Sequence, residues 1–498
     1  MSNAVLKLSV TEKVGYSLGD FAANLVFQTL VTYIAFFYTD VYQLDNATAS
    51  NVIFWCGILG GVVFSPIMGM IADRTHTRWG KYRPWILWTA VPFGIAIFLA
   101  FTTPNFGATG KIIYAFGTYL LLVTLYTANN LPYAALSGVL TGNMSERNSL
   151  SAYRFAAVMI AQFVIQVLLL PLILMAGDGD RAVGFEKLMT VFAVAGVICF
   201  LITFFTTRER VVLPPEAKST VAEDLADLFR NKPWVIMLMV VILVFVTLAL
   251  KGGMYIYYFN NYVSEPDLAA FLDRWGFNSF IVGLTAFFGG MGFTFAWPDD
   301  PAASGFGLFN GGGIIMMIIG IAFSRPLADR FGKRNVFAVF LAISALFVLA
   351  FYWFAKDAIG MMFLSQILHG FFYGITIPLL WAMIADVADY SEWKNNRRAT
   401  AIIFSAMLLG LKGGLTIGST ITLRVLNAYG YDGTLAVQAE SAQYGIKMAM
   451  SLMSAGFFFL AAALLVFYRI NKQVESTIET DLAARHAATA QNAAAAGA

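Results

Sequence analysis

Apolar stretches long enough to cross a bilayer recur along the whole chain, and this recurrence limits its possible folds more than any other feature. A helix rises about 1.5 Å per residue and the hydrocarbon core is about 30 Å thick, so roughly twenty apolar residues make one crossing. Such stretches fall near residues 14–39, 49–72, 84–103, 111–133, 153–176 and 187–207. A second series follows near 234–259, 306–325, 336–355, 359–385, 399–425 and 446–470. Because no water in the bilayer core can satisfy backbone N–H and C=O groups, each crossing must be helical. The predicted class is therefore an all-α integral membrane protein, with twelve transmembrane helices in two halves of six. Composition agrees, since 12% charged residues is half the share of a soluble domain, about 25%.

The expected organisation is an N-terminal bundle over 1–207, a cytoplasmic linker over 208–233, a C-terminal bundle over 234–470 and a cytoplasmic tail over 471–498. Glu209, Lys218, Glu223, Asp224, Asp227 and Arg230 mark the linker as water-exposed. Within an external insertion over 261–304, the apolar run Asn278 to Trp297 is long enough for a thirteenth crossing. Such a crossing would turn the later Lys and Arg clusters outward, so the run reads as an interfacial or docked helix. The same charge bias places both termini in the cytoplasm and the chain in the cell inner (plasma) membrane. Met1 to Lys13 is polar and leads into a span-length stretch, so no signal peptide is expected.

Several function classes are disfavoured. A net charge of +3 gives no footprint for nucleic acid. Cys56 and Cys199 sit in apolar runs, where packing is their ordinary role. The histidines are His76, His369 and His486, with no His-Glu-x-x-His and no Gly-Lys-Ser/Thr loop. No enzyme activity, cofactor or metal is therefore expected.

An internal repeat supports two related halves. Ala72-Asp73-Arg74 is followed by Gly80-Lys81, and Ala328-Asp329-Arg330 is followed by Gly332-Lys333, at equivalent loops. Positive-inside anchoring explains the basic residues but not the recurrent Asp before Arg, so Asp73, Arg74, Asp329 and Arg330 are candidate gating-loop residues. Segments 140–154 and 386–400 form a looser pair in which acids (Glu146; Asp386, Asp389, Glu392) stand beside bases (Arg147, Arg154; Lys394, Arg397, Arg398). Salt bridges among them are expected to break when the halves separate.

Polar groups at bilayer depth cost several kcal/mol unless paired or wetted, which makes them functional candidates. Asp20, Asn24, Gln28 and Thr32 share a face of the first span. Tyr126, Thr127 and Asn130 lie in the fourth, and Arg154, Gln162 and Gln166 in the fifth. The second half offers Lys251, Tyr255 and Tyr258; then Gln366, His369, Tyr373 and Thr376; then Lys412, Thr416 and Ser419. Amides, hydroxyls, a few charges and ring faces suit a neutral polyhydroxyl solute better than an ion. Any one of these residues could instead bond helix to helix. In the second span Gly57, Gly61, Ser65 and Gly69 form a small-residue face with no central carboxylate.

Gly19-Asp20-Phe21, Tyr38-Thr39-Asp40, Pro66-Ile67-Met68-Gly69, Arg78-Trp79-Gly80-Lys81 and Pro84-Trp85 together resemble the glycoside-pentoside-hexuronide:cation symporters of the major facilitator superfamily, typified by melibiose permease. Leu131-Pro132-Tyr133, Tyr153-Arg154-Phe155, Ala385-Asp386, Asp389-Tyr390 and Lys412 extend the resemblance over nearly the whole chain. It implies the major facilitator fold, transport of a sugar or glycoside by alternating access, and sugar contacts at Asn130, Arg154 and Tyr126. For the first span, alignment gives either Asp20 or Asn24, and both are kept. With Gln366 and Lys412, these complete the candidate substrate residues. The family's second-helix sodium carboxylates correspond to Gly61 and Ser65, and its fourth-helix acid to Asn130; only Thr127 and Lys412 survive of that set. A hard cation needs several oxygen ligands, so sodium coupling is expected to be lost. Proton symport through Asp20 or His369 is the favoured reading, and an uncoupled facilitator the alternative. A family tryptophan two positions after Pro132 is Ala134 here, which removes one stacking surface.

Overall fold

The computed structural model describes residues 7–141, 143–210, 231–291, 296–395 and 400–496. Among them, twelve helices are long and apolar enough to cross a membrane. The first half supplies Val10–Val41, Asn46–Asp73, Arg83–Ala100, Ala108–Leu140, Ser149–Ala176 and Arg181–Thr206. The second supplies Lys232–Asn261, Pro301–Phe331, Lys333–Ala350, Ile359–Lys394, Ile403–Ala428 and Glu440–Phe467. They are called the first to twelfth spans below. An even number of crossings puts the two ends of the chain on one face. Several spans exceed the apolar runs that mark them, because polar turns continue the helix beyond the hydrocarbon. Most of the linker, with Lys218, Glu223, Asp224, Asp227 and Arg230, lies outside the described residues, as do Arg397 and Arg398.

Lipid-facing surfaces carry large apolar side chains such as Trp55, Ile95, Val191 and Phe205, as a surface solvated by acyl chains requires. Within the insertion, helix Glu265–Arg274 docks by burying Leu268 and Leu272, and Phe271 packs on Phe363 of the tenth span. The next helix, Phe277–Gly290, has 14 residues, about 21 Å of rise, which is short of a crossing. Phe280, Val282 and Phe287 remain exposed on it.

The repeated loops show why the Gly-Lys pair recurs. Gly80 and Gly332 each precede a lysine near the start of a span and adopt φ of +113° and +83°, conformations that L side chains rarely tolerate. An acid that follows the last span of each half then reaches back to the loop. After the sixth span, Glu209 accepts from the backbone N–H groups of Lys81, Tyr82 and Arg83 at 2.7–2.9 Å, which satisfies the open N-terminus of the third span. After the twelfth, Glu475 pairs with Lys333 at 2.7 Å.

The halves meet most closely on the face opposite the chain ends, where the first span packs on the seventh, the second on the eleventh and the fifth on the eighth. There Tyr431 donates to Asp40 at 2.6 Å, Thr39 and Tyr257 share a 2.8 Å hydroxyl bond, and Arg424 donates to Ser50 and Asn51. A single buried cluster runs through the first half and into this end of the second, joining Phe36, Phe37 and Tyr38 to Tyr257, Phe259 and Phe306. At the terminal face the second half has its own cluster, around Trp234, Phe337, Met383 and Phe458.

For Glu146 and Asp386 the expectation from the charged segments needs correcting. Glu146 pairs with Lys13 at 2.8 Å, and Asp386 pairs with Lys333 at 2.7 Å, so each bridge lies inside one half and need not break when the halves part. The gating-loop candidates behave alike: Asp73 pairs with Lys81, Asp329 lies 3.7 Å from Arg325 and accepts Lys472 at its carbonyl, and Arg330 lies over the Phe331 ring. Arg74 ends the second span with its N–H on the Met70 carbonyl.

Candidate functional site

Between the halves lies a cavity of about 260 Å³. Phe27, Gln28, Val31 and Thr32 of the first span and Met159, Gln162 and Gln166 of the fifth form one wall. Opposite stand Lys251 and Tyr255 of the seventh span, Asn310 of the eighth, and Gln366, His369 and Tyr373 of the tenth. These polar residues recur at helical spacing because each span turns one stripe inward and leaves the rest for lipid or packing.

The lining amides are held in defined orientations. Gln166 donates to the Gln28 side-chain oxygen at 3.0 Å. Tyr255 donates to Gln366 Oε1 at 2.8 Å, so the Gln366 NH₂ points elsewhere. Asn310 donates to the carbonyls of Phe306 and Gln166, the latter across the two halves. What remains to a solute is a mixture of amide donors and acceptors, which is how a ring of hydroxyls is matched.

A side chamber of about 90 Å³ shares Phe27, Val31 and Leu415 with the main cavity. Its wall includes Gly57, Gly61, Tyr126, Thr127, Lys412 and Thr416. Lys412 donates to Ser65 at 2.7 Å and to Thr127 at 3.3 Å, so its ammonium sits against the small-residue face of the second span. At Gly57 a side chain would collide with Thr416.

A third group lies about two helical turns, roughly 12 Å, from Gln28 toward the terminal face. Asp20 receives Arg154 Nε at 2.9 Å, and Asn24 donates to Asp20 at 3.2 Å. The guanidinium stands 5.8 Å from the centroids of Tyr16 and Tyr133. Those rings stack at 4.6 Å, and each hydroxyl donates to the other residue's backbone carbonyl.

The candidate residues thus fall in three neighbouring places. Gln366 and His369 line the main cavity, and Tyr126 and Lys412 line the side chamber. Asp20, Asn24 and Arg154 make the cluster toward the terminal face, outside both walls in this conformation. Half-buried Asn130 lines neither chamber, while its neighbour Asn129 is buried and donates to Thr89. Asn310 is a lining residue that stripe-reading missed, since it is one amide in an otherwise apolar span. Its signal was the glycine run that follows, Gly311 to Gly313, where backbone comes close to the cavity.

The family model for MFS/sugar transport proteins matches residues 15–291 and 300–472. The chain belongs to this family. The inner membrane symporter YicJ of Escherichia coli (strain K12) is 32% identical over 96% of this chain and 95% of its own length. The isoprimeverose transporter of Lactiplantibacillus pentosus is 31% identical over 96% and 92% respectively. Among solved structures, an inward-facing, unoccupied bacterial homologue of the human lysosomal transporter Spinster matches with a TM-score of 0.61. It is 16% identical and covers 93% of this chain and all of that one; such a likeness speaks for the fold alone. This family member is a multi-pass secondary transporter of the sugar class and not an enzyme.

Proposed function

We propose that the chain carries a glycoside or short oligosaccharide across the cell inner membrane by alternating access, in symport with a proton and without sodium. The observation that carries this reading is the main cavity, walled by amides, hydroxyls and rings from both halves, so that a bound sugar touches both bodies that must move. Arg74, Arg78, Lys81 and Arg83 in one half and Arg330, Lys333 and Arg334 in the other lie on the face of the chain ends, which supports a cytoplasmic location for that face. The tight seal opposite is then the shut periplasmic gate.

Against sodium stands the Lys412 ammonium, which donates to Ser65 and Thr127, where the family resemblance would put a cation. A hard ion there would meet a fixed positive charge and too few oxygens. For the proton, Asp20 is the leading carrier: substrate drawn to Arg154 would loosen the pair and free the carboxylate. His369 has both ring nitrogens engaged and accepts a proton only by giving up its bond from Lys251. An uncoupled facilitator is the second reading, favoured by the neutral Asp20–Arg154 pair.

The test is uptake of a panel of glycosides and oligosaccharides by cells making the protein, in sodium-free medium, with external pH recorded. Alkalinisation accompanying uptake of one sugar supports proton symport. Uptake without alkalinisation supports the facilitator, and acceleration by added sodium overturns the loss of sodium coupling.

A further inference from the structure

At the face opposite the chain ends, the second half repeats an arrangement of the first with one cation added. In the first half, Lys111 at the head of the fourth span lies 5.2 Å from the centroid of the Tyr42 ring, just past the first span, and donates to the Tyr42 carbonyl at 3.2 Å. In the second half, Lys356 precedes the tenth span. It lies 5.8 Å from the centroid of Tyr262, just past the seventh span, and donates to Gln443 at 2.5 Å. Here Lys447 of the twelfth span joins, 5.3 Å from the same Tyr262 centroid and 5.6 Å from that of Tyr352. Two ammoniums therefore crowd one ring, whose cation–π attraction adds no negative charge.

Among the described residues, neither Lys356 nor Lys447 is ion-paired with a carboxylate, and half-buried Lys447 has no hydrogen-bond acceptor for its ammonium. Asp267 accepts from Ser264, and Asp357 and Glu440 are exposed to water. Depth says what meets these cations. The twelfth span, Glu440–Phe467, has 28 residues, about 42 Å of rise against about 30 Å of hydrocarbon. Its apolar run starts near residue 446, so Lys447 stands at the edge of the hydrocarbon, and Lys356 comes three residues before the tenth-span helix. Exposed Trp353 packs edge-on against Tyr352, and Tyr444 is exposed one turn before Lys447, as in the aromatic belts that lie among headgroups. At that level the abundant anion is the phosphate of a phospholipid.

We propose that Lys356 and Lys447, gathered on the Tyr262 ring, form a site for the phosphodiester headgroup of an anionic phospholipid in the leaflet opposite the chain ends. The phosphate supplies the counter-charge that both ammoniums lack and the acceptor that Lys447 lacks. A zwitterionic headgroup fits less well, because its own ammonium brings a third cation to the ring. The site joins three elements. Tyr262 donates to the Phe354 carbonyl at 2.9 Å, the Ser264 N–H donates to the Lys356 carbonyl at 2.9 Å, and Lys447 brings the twelfth span. Bound lipid thus braces the end of the seventh span, where the insertion begins, against the loop before the tenth span and against the twelfth. This inference is independent of the cargo.

The test is lipid binding to the purified full-length protein in detergent, with the tightest-bound lipid read by native mass spectrometry. The probes are phosphatidylglycerol and phosphatidylcholine with the same acyl chains, and glycerol phosphate as the soluble headgroup. The expected result is phosphatidylglycerol binding about tenfold or more tighter than phosphatidylcholine, as two lysines at a membrane surface provide. The double substitution Lys356→Gln and Lys447→Gln is expected to remove most of that preference. Lys187→Gln, which alters an exposed cation near the same face of the first half, is expected to leave it unchanged. Equal binding of the two lipids to the wild type would overturn the proposal. So would a preference that survives the double substitution, since the charge would then act from elsewhere. Glycerol phosphate binding as tightly as the lipid would overturn the lipid source in favour of a soluble anion. The wild-type comparison and the soluble probe require no variant to fold.

Discussion

Each half of the molecule holds a cation among its spans, part-exposed Arg154 in the first and buried Lys251 in the second, and the two are treated differently. In the first half, Arg154 faces Asp20, Asn24 steadies the carboxylate and two tyrosine rings flank the guanidinium. That site is electrically complete without a substrate. In the second half, Lys251 has the His369 imidazole as partner, and among the described residues no carboxylate lines the cavity wall. The repeated loops are alike while the centres differ: one half holds a cation already paired with a carboxylate, and the other a cation whose partner is an imidazole.

The sharpest way to break this comparison is to remove each cation and follow thermal unfolding in detergent. Arg154→Met strands Asp20 inside the bundle and should cost about 3–5 kcal/mol, with most of it recovered by adding Asp20→Asn. Lys251→Met removes an uncompensated charge, so the apo protein should unfold at the same temperature or higher. Equal destabilisation by both variants would show that Lys251 has a counter-ion after all. Sugar binding should be abolished in the Arg154 variant, and unchanged binding would remove Arg154 from the site.

A smaller effect compares the duplicated loops. Glu209→Gln weakens contacts to three backbone N–H groups and should lower stability by about 1–2 kcal/mol. Glu475→Gln should cost less than about 1 kcal/mol, because Lys333 keeps Asp386. The reverse order, read from the same melting experiment, would mean that the two acids are not equivalents.

The smallest effect is confined to the first half. Lys13 donates to Glu146 and, with the backbone N–H of Leu8, holds that part-buried carboxyl below its ordinary value of 4.5. A depressed carboxyl stabilises the fold above its unfolded value, and the contribution fades as pH falls through the folded one. Amide exchange at Leu8 should therefore stay slow at pH 5 and rise only below 4.5. Loss of protection already near neutrality would rule out this contact as what holds the N-terminal segment.

Much of this was readable from sequence because the membrane imposes a strict grammar. Twelve crossings follow from apolar length together with the Lys and Arg bias that sets aside a thirteenth, and Gln28, Gln162, Gln166, Gln366 and His369 announce themselves by polarity at helical intervals. What sequence did not convey depends on which spans meet. Lys251 appeared only as one member of a stripe, since a stripe does not say whether a carboxylate stands opposite. The seal made by Asp40, Tyr431 and Arg424 joins residues far apart in the chain. The acid-and-base pattern around Glu146 and Asp386 suggests bridges that break when the halves separate, whereas proximity in the fold gives each a lysine on its own side.

The terminal helix Lys472–Ala496 is fastened only to the second half among its described contacts. Glu475 pairs with Lys333, Lys472 donates to the Asp329 carbonyl, and Asp481 accepts the Trp393 indole N–H. It therefore travels with that half as a lever arm outside the bilayer. A fluorophore at Glu479 on this arm and another at Thr77 on the opposite half would turn each rocking stroke into an optical signal, letting single turnovers be counted without a labelled sugar.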